Sequence, residues 1–480
     1  MRDLVLRALD TAQAKGAAYA DVRVVSSRAE SITVRNQNVE GLTAGESFGF
    51  GVRVIVDGYW GFASSYRVTL EEADRVAAQA VAVARASARA GGPRADIGAP
   101  EAHVDSYHTP ILKDPFAVSL DDKIALLLKA SEAMMRVPGV VMAESNVYYE
   151  REQVTFGSSE GSFIEQELVE TGCGLEATAV GEGEVQQRSY PNSIGRHQGT
   201  EGWEFIERHD LAGNAPRVGE EAAALLTAKP CPVGVTTIVL DGSQLALQVH
   251  ESCGHAVELD RVLGTEAAYA GTSFLTTDKL GSFRYGSETV NLTADATVPG
   301  GLGTFGYDDE GVPAQRTPLV QNGLFVGYLS SRETATALGL RSGGAMRASG
   351  WNRIPLIRMT NVSLEPGDWT LEGLIADTDD GLYMETNRSW SIDDRRLNFQ
   401  FGTELAREIK HGKLGDLVKN ATYTGMTPKF WGGCDAVCNR DHWVVWGTPN
   451  CGKGQPEQVA GTGHGTAPAR FRDVQVGLIR

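Results

Sequence analysis

Residues 48–65 read FGFGVRVIVDGYWGFASS: two β-rich runs, 48–56 and 60–65, on either side of Asp57-Gly58. An Asp-Gly pair supplies the positive φ angles of a tight two-residue turn, so this stretch predicts a β-hairpin. Outward from it, 20–26 and 31–35 are further strand-like runs. Residues 2–15 carry Leu, Val and Ala at helical spacing, with Gly16 as a stop. On the other side Thr69 opens an Ala/Val-rich helix to about Arg89, with Glu72 at the capping-box position. Residues 90–115, rich in Gly, Pro and Ala, read as a linker.

The same order then recurs. Residues 120–135 have helical spacing, 140–150 and 153–156 are strand-like, 162–180 alternates, and 203–227 is helical again. Ser31-Ile32-Thr33-Val34 and Gln153-Val154-Thr155-Phe156 occupy equivalent slots, which makes this half a degenerate duplication of a helix–strands–helix unit. Pro230-Cys231-Pro232 marks a boundary. Beyond it 234–240 is a short strand, Gly242 and Ser243 open an apolar helix through Val249, and short strands with glycine turns make up the remainder. The predicted fold class is α+β. Two N-terminal α/β units of similar plan, 1–113 and 114–229, precede a large β-rich C-terminal domain, 230–480.

Composition narrows the function. At 480 residues the chain exceeds one ordinary core, so two or three domains are expected. A net charge of −17 argues against direct nucleic-acid binding and against an anionic membrane surface. The N-terminus lacks the apolar run of a signal peptide, and no stretch approaches the ~20 apolar residues of a membrane span. Six cysteines in so long a chain do not make a disulfide framework. The expectation is a cytoplasmic protein with reduced thiols, at least one of them available to a metal.

The densest chemistry is His250-Glu251-Ser252-Cys253-Gly254-His255, at the end of the apolar helix. Histidines four apart lie about 40° apart around a helix and face one ion; five apart, they lie about 140° apart. Both reach one ion only if the helix distorts or ends between them, and Gly254 is where that is easiest. A helix end with two surface histidines is the competing reading. Glu251 favours metal chemistry. Zinc with three protein ligands and an open position brings the pKa of its water towards ~7, and an adjacent carboxylate can take that proton. The third ligand stays open among Cys434, Cys438, Cys451, His442 and His464. Cys434 and Cys438 read as small buried hydrophobes, Cys253 as packing, and Cys451 sits beside Lys453, which favours a thiolate.

Four motifs in register resemble the TldD/PmbA (TldD/TldE) peptidases, and two of them are those of the metal-binding TldD-type subunit. They are His-Glu-x-x-x-His at 250–255, Asp-Asp-Glu-Gly-Val-Pro at 308–313, Arg-Met-Thr-Asn at 358–361 and Cys-Gly-Lys at 451–453. The similarity spans essentially the whole chain. It implies His250, His255 and Cys451 as zinc ligands, Glu251 as catalytic base, and a metal-binding helix inside the β-rich domain. It also implies a zinc-dependent peptidase that trims peptide precursors or degrades small unfolded proteins such as an antitoxin. The enzyme would work with a PmbA/TldE-type partner subunit, as a heterodimer, or as a homodimer. An older family label concerns DNA gyrase, so the alternative is a noncatalytic zinc-containing protein that modulates a partner. Two departures from the family pattern bear on substrate preference: Gly-Gln-Pro-Glu at 454–457, and METNRSWSIDDRRLN at 384–398 in place of a glycine-rich turn.

Other features carry less. Pro299-Gly300-Gly301-Leu302-Gly303 lacks the Gly-Lys-Ser/Thr ending of a phosphate loop and reads as a β-turn. Asp308-Asp309-Glu310 is a second cation site, a support for a ligand histidine, or a solvated turn. Arg347, Arg353 and Arg358 pair with acidic neighbours or grip a substrate carboxylate. Asp393-Asp394-Arg395-Arg396 reads as a solvated turn.

Overall fold

The computed structural model describes residues 1–181, 183–193 and 197–477. Its N-terminal half is organised on one eight-stranded sheet. Helix α1 (Arg2–Ala14) leads into β1 (Tyr19–Arg35), β2 (Asn38–Val56) and β3 (Tyr59–Ser65), and α2 (Leu70–Ala90) completes the unit. After β4 (Val104–His108) the plan repeats: α3 (Leu120–Met135), β5 (Val140–Ser158), β6 (Phe163–Gly181), β7 (Glu184–Tyr190), a short β8 (His197–Gly199), α4 (Glu204–His209) and α5 (Leu211–Leu226). The units are joined edge to edge, because β1 pairs antiparallel with β5 from Asp21↔Ser158 to Arg35↔Glu144. Two cores lie on the helix-covered face. Val22, Val24, Phe50 and Val52 pack with α1 and α2, whereas Ile32, Val34, Val147 and Leu175 pack with α3 and α5. The even-numbered residues of β1 serve both cores, as a period of two requires.

Three local expectations change. The runs 20–26 and 31–35 are one strand, as are 140–150 and 153–156. Ladders on both sides of β1 carry the pairing through polar residues 27–30, which composition reads as a break. The linker contains β4, which pairs in parallel with β6. The helical stretch 203–227 is two helices, divided at Asp210 with φ +38°, whose carboxylate accepts from Gly213 N–H and caps the second.

Beyond the two-residue β9 (Lys229–Pro230), the C-terminal region closes a barrel. Strand β10 (Gly234–Leu240) lies between Asp380–Ile392, in parallel, and Ala469–Val476, antiparallel. Ala469–Val476 pairs with Thr422–Met426, that strand with Asn398–Lys410, and that one with Asp380–Ile392, completing the ring. Helix α6 (Gly242–Val249) comes directly after β10, and Asp241 caps it by accepting from Ser243 N–H. It is buried on nearly every side; even its glutamines turn inward, Gln244 donating to the Tyr423 hydroxyl, which donates to Gln248. A helix enclosed all round is central rather than amphipathic, and the turn at its C-terminal end is buried as well. Among the described residues no helix is long and apolar enough to cross a membrane.

Candidate metal centre

Helix α6 does not stop at Val249. It widens into one π-turn, His250–Gly254, and then tightens into a 3-10 turn, His255–Val257. The amide of His255 donates to the carbonyl of His250, an i→i+5 bond that brings the second imidazole edge-to-face against the first. The ring centroids lie 4.9 Å apart. The spacing of five, wrong for a regular helix, suits this turn. Gly254 is not where the helix breaks: it is right-handed, at φ −51°, ψ −58°. It is needed for room, since a Cβ there would lie 2.0 Å from Met359 Sδ.

A hairpin of Val444–Lys453 and Gln458–Thr466 brings Cys451 to the histidines across 196 residues of sequence. One donor atom from each of His250, His255 and Cys451 lies within 4.8 Å of the other two, and all three residues are buried. His255 Nε2 is 3.5 Å from Cys451 Sγ.

The hydrogen bonds set the tautomers. The carbonyl of Val362 can only accept, so His464 Nδ1 donates to it, at 2.9 Å. Burial, then His250, drives the pKa of His464 well below its ordinary value; the ring is neutral and its Nε2 accepts from His250 Nδ1 at 2.7 Å. The lone pair of His250 therefore sits on Nε2. Likewise Glu258 accepts from His255 Nδ1 at 2.9 Å and leaves Nε2 free. Burial lowers the pKa of both His250 and His255. Burial alone would raise the Cys451 thiol, but His255, by taking up the thiol's proton on Nε2, and the Arg358 guanidinium outweigh it and hold the thiol below its usual value; a bound cation would displace that proton. Two unprotonated imidazoles and a thiol disposed to ionise are the donor set a thiophilic divalent cation takes, and these residues fit one.

The remaining sequence candidates separate cleanly. Cys253, Cys434 and Cys438 are buried, and burial pushes their thiols up to about 12. His442 accepts from Leu371 N–H, away from the cluster. His464 is at the site, behind His250. Lys453 does not serve the thiolate: its ammonium bonds Asp260 and the carbonyl of Ile357 and lies 3.4 Å from Glu258, so it supports the carboxylate that orients His255. Arg358 pairs with no acid among the described residues; it donates to the carbonyls of Cys451 and Gln458 and ties the hairpin's strands together. Arg347 binds the carbonyls of Met359 and Gly461, and Arg353 is exposed. The Asp308-Asp309-Glu310 run is an internal brace. Asp308 accepts from Glu310, Val312 and Met346 N–H, while Asp309 and Glu310 pair with Arg23 and Arg53 of the long sheet. The outer face of the hairpin lines a cavity of about 460 Å³ against β5 and β6.

Glu251 is buried, and Arg396 Nη1 donates to its Oε2 at 2.6 Å. Sequence reasoning missed Arg396, and with it Glu258. The Asp-Asp-Arg-Arg run is not a freely solvated turn, since the Arg396 side chain is only 13% exposed. The signal available was that this turn replaces a glycine-rich one.

Models of three domains match this chain: PmbA/TldA metallopeptidase domain 1 at residues 20–84, the central domain at 113–229 and the C-terminal domain at 233–477. A metalloprotease of Methanocaldococcus jannaschii is 31% identical over 93% of this chain and 95% of its own length. A metalloprotease of Methanothermobacter thermautotrophicus is 33% identical over 96% of this chain and 95% of its own. A protein of Saccharolobus solfataricus named zinc metalloprotease TldD homolog is 23% identical over 87% and 88%. TldE of Thermococcus kodakarensis shares the fold, with a TM-score of 0.78 at 17% identity, over 99% of this chain and all of that one. The chain therefore belongs to the PmbA/TldD metallopeptidase family.

Proposed function

We propose that this chain is a zinc-dependent peptidase of the TldD type, acting in the cytoplasm on small or unfolded peptides. The observation that carries the proposal is the convergence of three buried donors, His250, His255 and Cys451, beside an unliganded carboxylate, Glu251. The two imidazoles would hold the ion through Nε2 and Cys451 through Sγ. When bound, zinc supplies Lewis acidity: it polarises a peptide carbonyl and lowers the pKa of water.

The chain's own groups do the rest. Glu251 has one oxygen, Oε2, on Arg396, so Oε1 is the atom that takes a proton from the attacking water and passes it to the leaving amine. Glu258 and His464 keep the imidazoles in one tautomer throughout. A TldE-type subunit is the proposed partner, and a homodimer the alternative. Unpaired cysteines support the cytoplasmic assignment. A purely structural metal gives Glu251 no task, which weighs against the noncatalytic reading.

The test is zinc content and cleavage of unfolded casein by wild type and Glu251→Ala, with and without a TldE-type partner. Retained zinc with cleavage reduced by roughly 10²–10⁴-fold is expected. Undiminished cleavage with metal retained would sink the mechanism.

A further inference from the structure

We propose that Arg396 is the positioning residue that orients Glu251, an inference that rests on Glu251 being the base. Three segments build the turn that delivers it. Asp393 accepts from the amides of Arg395, Leu397 and Asn398 and from the Asn398 side chain. From the loop at 271–274, Thr272 N–H donates to Asp394 O and Phe274 N–H to Arg395 O. That approach is close: a Cβ on Gly271 would lie 2.4 Å from Asp394 O, and Gly271 has φ +86°. On the other side the Thr427 hydroxyl donates to Arg396 O.

Held this way, Arg396 takes φ +63°, a left-handed conformation that a non-glycine residue keeps only where its surroundings impose it. The outcome of the strain is one guanidinium directed inward. Its Nη1 meets Glu251 Oε2, and both side chains are largely enclosed. The π-turn fixes the backbone of Glu251 but not its side-chain torsions. Arg396 fixes those. It pins one carboxylate oxygen and leaves the other to face the reacting atoms.

Zinc-loaded wild type, Arg396→Ala, Arg396→Lys and Glu251→Ala are compared for casein cleavage, zinc content and calorimetric binding of acetohydroxamate, a ligand whose affinity for such a site depends on a placed carboxylate. In Arg396→Ala kcat should fall about 10²-fold, the cost of misplacing a reacting group by about 1 Å. KM and zinc content should stay within about twofold, and acetohydroxamate should bind about tenfold more weakly; an effect on orientation alone has this signature. Arg396→Lys should recover part of both losses. In the Glu251→Ala background, Arg396→Ala should do nothing further.

An unchanged kcat and hydroxamate affinity in Arg396→Ala, with Glu251→Ala inactive, would overturn the inference and leave the peptidase assignment standing. A raised KM at constant kcat would also overturn it, by assigning Arg396 to substrate binding. Full cleavage by Glu251→Ala would instead remove the assignment of the base. Should Arg396→Ala prove unstable, Arg396→Gln gives the same comparison with the side-chain volume nearly kept.

Discussion

The hairpin of Val444–Lys453 and Gln458–Thr466 and the hairpin of Asp380–Ile392 and Asn398–Lys410 both reach the turn at 250–255, and they hold it differently. The first is buried where it matters. Cys451, Lys453, Thr462 and His464 all face inward, and each meets a partner from another segment or from its own strand. The second is built into the barrel along most of its length but exposed along 388–391, and its end turn contributes one guanidinium. The proposed donor set is thus over-determined, while Glu251, the proposed base, has one ion pair among the described residues. Metal retention and turnover should therefore separate by hairpin.

The comparison breaks most readily at Cys451. Cys451→Ala should weaken zinc binding by more than about 100-fold and bring cleavage to background, since the loss of a ligand exceeds that of any supporting contact. Cys434→Ala, also buried, should keep its zinc. Equal losses in competitive zinc titrations of the two variants would refute the division. A smaller effect sharpens it: His464→Leu, which frees His250 Nδ1, should cost about 10–100-fold in zinc affinity without unfolding the hairpin. Affinity within about twofold of wild type would show that the tautomer needs no support.

The smallest effect lies across the cavity from the first hairpin, on β5 and β6. Burial, then the carboxylates of Glu150, Asp309 and Glu170, pushes the Glu152 carboxyl up to about 8; burial and Glu150 push Glu170 up to about 7. An acid whose folded pKa exceeds its unfolded value favours folding while protonated and opposes it once ionised. The stabilising contribution is complete below pH ~4.5 and lost as pH rises through about 7 and 8. The melting temperature should thus fall between pH ~4.5 and ~8, and the double variant Glu152→Gln/Glu170→Gln should flatten that fall. A wild-type melting temperature independent of pH across this window would show that these carboxyls stay ionised.

Much of the frame was legible in the residues. The α+β plan comes from spacing, since Asp57-Gly58, Thr69 and the apolar helix opening at Gly242 act locally. The unbroken course of β1 through 27–30 was not legible, because it depends on neighbours on both edges. At the site, the spacing of His250 and His255 announces that a regular helix must distort. It does not say how: the i→i+5 bond spreads the change over five residues, and Gly254 is there for Met359. Cys451 was one of five candidates and was singled out only through family resemblance, as no spacing rule operates across 196 residues. Arg396 escaped because a charge run reads as solvated until the segments that press it inward are known.

The closed ring around α6 also imposes an order in time. Strand Ala469–Val476 lies between Gly234–Leu240 and Thr422–Met426, so the ring cannot shut until a segment some 230 residues downstream of β10 has arrived. Pairings of such separation form late, after the cost of closing a long loop. Cys451 emerges from the ribosome only shortly before that strand. Ring and Cys451 therefore arrive together and after the histidines, so His250 and His255 stand without their proposed third donor until the ring can shut.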